Sequence, residues 1–160
     1  MKAKLVAGAE FDFLTRDEIK SELSPIISYL TEMTRGVKPL RFLASAQVAA
    51  GGALTIGDSN SPSDQISPKA GYIWAVTRLT IGGIAVTENV SVFLNNLGQG
   101  NIVDTVPGQT LRRFGGNSLI LLPEDRLIVT GTGLAEPVGT NVFALGAALE
   151  VPREMAWKLF

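Results

Sequence analysis

Eight acidic side chains are the residues whose type could carry chemistry: Asp58, Asp64, Glu88, Asp104, Glu124, Asp125, Glu136 and Glu150. Two of them across a cleft would serve glycoside hydrolysis. Asp58-Ser59-Asn60 with Asp64 offers oxygen ligands of the kind calcium takes. That loop lacks the glycine at its sixth position and the glutamate at its twelfth that a calcium-binding EF-hand loop needs. Most of these acids fall in predicted turns, where carboxylates serve solubility and turn geometry. The chain has no histidine and no cysteine. A serine or cysteine hydrolase therefore lacks its usual base or its thiolate. Zinc lacks its favoured ligands, and no disulfide framework exists. Gly98-Gln99-Gly100 and Gly131-Thr132-Gly133 have neither the lysine nor the following helix of a phosphate cradle. Arg112-Arg113 is too small a basic spot for a nucleic-acid surface. These absences predict a protein that is not an enzyme and uses no cofactor and no metal.

The elements around these residues divide the 160-residue chain into three parts. Residues 1–40 read as an N-terminal arm and a helical anchor, 41–152 as a β-sandwich domain, and 153–160 as a C-terminal docking tail. In the arm, alternating Phe11 and Phe13 fit an added strand or an extended crossing, and a frayed terminus is the alternative. Thr15-Arg16-Asp17-Glu18 is a capping box, in which the Thr15 hydroxyl accepts an amide and Glu18 reaches back. Ile19, Leu23, Ile26, Ile27, Leu30 and Met33 follow at helical spacing. Pro25 predicts either a kink or a second helix capped by Ser24. The stripe has two readings: packing on the chain's own β-domain, or association with another copy or a partner. Residues 10–35 carry six acids against three bases, whereas the 109 residues from Phe42 to Glu150 hold thirteen charges in all. So dry a surface predicts that part of it is buried in an assembly. The net charge of −1 offers no general attraction to nucleic acid or to a membrane. The first ten residues make no signal-peptide core, and no stretch approaches a membrane span. A protein made and folded in a cytoplasm is expected.

From Arg41 the apolar period becomes two. Strands are predicted near 41–50, 52–57, 72–82, 84–87, 90–96, 101–106, 109–114, 117–122, 126–132 and 140–151, separated by Gly, Pro and Asn turns. Strands this short and this regularly spaced predict a mainly β chain, a jelly-roll-like antiparallel sandwich behind the arm and capped helix. Residues 142–151 show two faces. Phe143, Leu145, Ala147, Leu149 and Val151 predict the core side. Val142, Ala144, Gly146, Ala148 and Glu150 predict an outer side, too small and apolar for open water. We therefore expect a partner interface at Val142, Ala144 and Ala148, with Leu23, Ile26, Ile27 and Leu30 of the helix and Trp157 and Phe160 of the tail. A homo-oligomer, with a trimer as the expected arrangement, would cover these surfaces. Tyr72 beside Trp74 offers an aromatic platform for a sugar or peptide, and Trp74 as a core or subunit anchor is the competing reading.

The arm, the acidic capped helix and the Gly-rich β-domain carry a family resemblance. So do Arg126-Leu-Ile-Val-Thr-Gly-Thr-Gly-Leu, Ala147-Ala-Leu-Glu-Val-Pro, Trp74-Ala-Val-Thr-Arg-Leu-Thr-Ile and Val90-Ser-Val-Phe-Leu-Asn. Together they resemble the virion proteins of tailed bacteriophages, of the head-decoration, head-fibre or collar type. The resemblance covers residues 42–152 in character. It implies a non-enzymatic structural protein of the virion, bound to the major capsid or neck proteins by its arm and helix or by its tail. A β-sandwich carbohydrate-binding module for adhesion to a host surface is the alternative expectation.

Overall fold

The computed structural model describes residues 2–4, 10–12, 16–58, 65–114 and 119–156. The chain up to Arg35 forms one compact unit, and from Gly36 on it forms another. In the first, β1 (Lys2–Lys4) pairs antiparallel with β2 (Glu10–Asp12), and α1 spans Arg16–Met33. The helix runs through Pro25 without a second start, which removes one of the two expected arrangements. Thr15, and with it the expected cap, lies outside the described residues.

The second unit is a sandwich of two antiparallel sheets. Its strands are β3 (Lys38–Gln47), β4 (Leu54–Ile56), β5 (Tyr72–Gly82), β6 (Asn89–Leu94), β7 (Ile102–Pro107), β8 (Leu111–Arg113), β9 (Leu119–Leu121), β10 (Leu127–Gly131) and β11 (Asn141–Pro152). One sheet has the order β4-β10-β6-β7. The other has the order β3-β11-β5-β8, with β9 pairing β5 on the same side as β8. The predicted strands are found, with one exception: residues 84–87 turn, because the Glu88 amide donates to Ala85 (3.0 Å) and Glu136 accepts the Ala85 N–H (2.7 Å). A short apolar run is compatible with either outcome until such a long-range partner claims its amides.

Apolar residues of both sheets meet in one core. Phe42, Trp74, Val76, Leu79, Ile81, Val142, Ala144 and Ala148 come from one sheet, and Leu54, Ile56, Val90, Val92, Leu127 and Val129 from the other. Phe42 and Trp74 stack in parallel, with ring centroids 5.7 Å apart. The turns carry sharper demands. Gly52 has φ near 69°, and a Cβ there would collide with the backbone of Leu134, so only glycine fits. Asn95 also sits at positive φ (67°). Its side chain donates to Asp125 (2.7 Å) and accepts the Arg126 amide (2.9 Å), which holds the left-handed turn. Asn95→Ala is expected to destabilise the domain by about 2 kcal/mol, through the lost hydrogen bonds and the harder backbone conformation. Urea unfolding reads this as a lower midpoint at unchanged slope.

One predicted face is corrected, and a second strand breaks simple alternation. In β11 the inward side chains are Val142, Ala144, Gly146 and Ala148, while Phe143, Leu145 and Leu149 point to solvent. The physical reason is volume. The ring of Phe42 lies directly on Gly146, its cross-strand neighbour, so a Cβ there would overlap it. The aromatic stack occupies the core space that larger β11 side chains would otherwise fill. In β5, strict alternation is broken by a bulge. Val76 faces Ala148 and Arg78 faces Ala147, so Thr77 is the additional residue. Its hydroxyl donates to the Ala147 carbonyl at 3.1 Å. Trp74 and Val76 before the bulge therefore share the core with Leu79 and Ile81 after it.

Candidate functional site

The acids that could have done chemistry hold the loops together. Asp58 pairs with Arg126 (3.2 Å), and Asp104 pairs with Arg112. Asp125 accepts from Asn95 and from the Leu122 amide (2.8 Å). Glu88 accepts the Ala135 amide (3.3 Å), and Glu150 accepts the Trp74 indole N–H (3.2 Å). Asp64 lies outside the described residues. Among the described residues no group of three or more such side chains could hold a metal ion. The Tyr72–Trp74 platform does not face out either: Trp74 is 7% exposed, a core anchor, and Tyr72 is half-buried.

What the structure does present is a sheet face. On the four-stranded sheet the outward side carries a row of hydroxyls, Thr55, Thr130, Ser91 and Thr105, paired strand to strand. That is how a β-sheet meets water. On the five-stranded sheet the matching row is Leu43, Leu145, Thr80 and Leu111. Leu43 is 66% exposed and Phe143 40%, and Leu111, Leu145 and Leu149 are exposed to similar degrees. Phe143 lies across Gly82, its partner on β5, so its ring is held against the sheet. The three long strands β3, β11 and β5 give this face, polar positions included, an area on the order of 500 Å² at ~3.4 Å per residue and ~4.8 Å between strands.

One row further along β11, Ala147 lies between Arg41 on β3 and Arg78 on β5, and Arg78 pairs with Arg113 on β8. Together with Leu111, Thr80 and Leu145, Arg41 and Arg78 line an open groove of about 270 Å³ floored by Gly146 and Ala147. All three arginines are exposed, and none is in an ion pair among the described residues. The outward positions of β3, β5, β8 and β11 carry no carboxylate beside them.

Of the residues expected at an interface, Val142, Ala144 and Ala148 are sealed in the core, for the reason of volume given above. Leu23 (44% exposed) and Ile26 (54%) are open on α1. Ile27 and Leu30 belong to the same helix, and the described side chains do not include theirs. Trp157 and Phe160 lie outside the described residues. The residues missed are Leu43, Leu111, Phe143, Leu145 and Leu149, with Arg41, Arg78 and Arg113. Their signal was present in the contrast between threonine-rich and leucine-rich outward alternation, but it needs the strand pairing to be read. Among the described residues no helix is long and apolar enough to cross a membrane. No protein-family model matches the chain, and no curated protein shows significant similarity to it.

Proposed function

We propose that this chain is a non-enzymatic structural subunit that works by associating with copies of itself, in the setting of a tailed-bacteriophage head or neck. The observation that carries this reading is the leucine- and phenylalanine-bearing outward face of the five-stranded sheet. Leaving these apolar side chains in water is costly, and covering them contributes at ~25 cal/mol per Å² of apolar surface before the costs of association. The strand order adds support. Taking β8 and β9 as one position, the eight positions from β3 to β11 run 1-8-3-6 in one sheet and 2-7-4-5 in the other. We read this order as a jelly roll. The resemblance in the sequence to head-decoration, head-fibre and collar proteins supplies the setting, and a trimer closes such a surface about a threefold axis. Attachment to capsid or neck proteins falls to the terminal segments.

Light scattering at micromolar concentration tests the association, with an expected mass three times that of the 17.0 kDa chain. Leu43→Asp with Leu145→Asp is expected to yield folded monomers. A monomeric wild type would remove the association reading. Electron microscopy of purified particles labelled against the protein tests the setting, with label expected at the head or neck.

A further inference from the structure

We propose that the occupant of the outward sheet face is the acidic helix α1 of a second copy, laid along β11 with its apolar side on the leucines and the flanking Glu18 and Glu22 beside the arginines. This rests on the reading that copies associate, and it names the contact. Charge is the first argument. The face carries Arg41, Arg78 and Arg113, exposed and without a carboxylate at the outward positions around them. Residues 16–33 carry Asp17, Glu18, Glu22 and Glu32 against Arg16 and Lys20. Two copies of the same face set against each other would bring six arginines together, whereas helix on face brings opposite signs together. The second argument is apolar matching. Leu23 and Ile26, three residues apart on one side of the helix, are exposed, as are Leu43, Leu145 and Leu111 on the face. The third is length. An 18-residue helix spans ~27 Å, and the 12-residue strand β11 extends ~40 Å, so the whole helix finds sheet beneath it. Helix on face is a heterologous contact, which closes into a ring when each copy lends its helix to the next.

The test uses full-length chains. One variant carries Arg41→Glu and Arg78→Glu, the other Glu18→Lys and Glu22→Lys. Each alone is expected to associate at least about tenfold more weakly than wild type, because like charges then meet. Mixed in equal amounts, the two are expected to form mixed oligomers that associate more tightly than either variant alone, since mismatched surfaces find complements on the other chain. A ring of three keeps one like-charged contact, so only the chain bearing all four substitutions is expected to regain wild-type association. Singles that associate as tightly as wild type would overturn the proposal. So would a mixture no more strongly associated than either variant alone, because the helix would then serve its own sheet. As a second readout, Ile26→Cys chains are mixed with Leu145→Cys chains. The native chain has no cysteine, so a disulfide between the two different chains under mild oxidation is the expected result. Its absence counts against the contact. A wild type that is monomeric at the outset sinks both readings, while an oligomer indifferent to these changes sinks only this one.

Discussion

Val142→Asp is expected to leave the β-domain unfolded, while Leu145→Asp, three residues along the same strand, leaves it folded. Val142 has no exposed surface and packs between the two sheets. A carboxylate there has no ion-pair partner among the core residues, which include no buried polar or charged side chain among the described residues. Burying an unpaired charge costs several kcal/mol, a large part of the 5–15 kcal/mol that holds an ordinary domain together. Leu145 points outward, so an aspartate there stays hydrated and changes stability by no more than about 1 kcal/mol. Circular dichroism and urea titration of the two variants make the comparison. A folded Val142→Asp with an unfolded Leu145→Asp would reverse the assignment of faces on which the functional reading stands.

Gly146→Val is expected to be the second severe change, at about 3 kcal/mol, from overpacking a filled core. For a chain of this size that lowers Tm by roughly 6–12 °C. The added Cβ enters the volume of the Phe42 ring, and Phe42 cannot simply swing aside because Trp74 is stacked on it. The expected signature includes a change in tryptophan fluorescence, since the stack itself must shift. Phe42→Leu made in the same chain should recover part of the loss. The coupling between the two sites is expected at ~1 kcal/mol or more, because they share one space. Additive effects would mean that the ring does not rest on Gly146.

Both predictions concern the features that a linear reading handles least well. The helical segment from residue 16, the strand positions other than 84–87 and the two-sheet architecture follow from local periodicity and turn residues, and the structure agrees with them, while the passage of one helix through Pro25 is one of two arrangements that the residues leave open. The facing of β11 does not follow, because the ordinary assumption places the larger apolar residues inside. Here the core volume is filled by Phe42 and Trp74 from the two neighbouring strands, and β11 contributes small side chains to make room. That decision is made by Trp74, 68 or more positions before the inward residues of β11, and by Phe42, more than a hundred positions before Gly146, so no short window along the sequence contains it. Thr77 raises the same difficulty within one strand: Tyr72 to Ile81 reads as one unbroken strand, and the bulge appears only against β11. The arginines at 41, 78 and 113 look like isolated surface charges until the sheet sets them in one row.

Among the described residues β3 ends its sheet, so half of its backbone amides and carbonyls have no neighbouring strand there. Its opening residues Lys38, Pro39 and Arg41 discourage a stranger from adding, since proline has no N–H and the cations resist crowding. That protection fades toward Ser45 and Gln47. Heterologous production at high concentration should therefore meet precipitation seeded from this margin well before heat becomes limiting. A lysine placed at position 45 would be the natural gatekeeper for anyone wishing to keep the protein in solution.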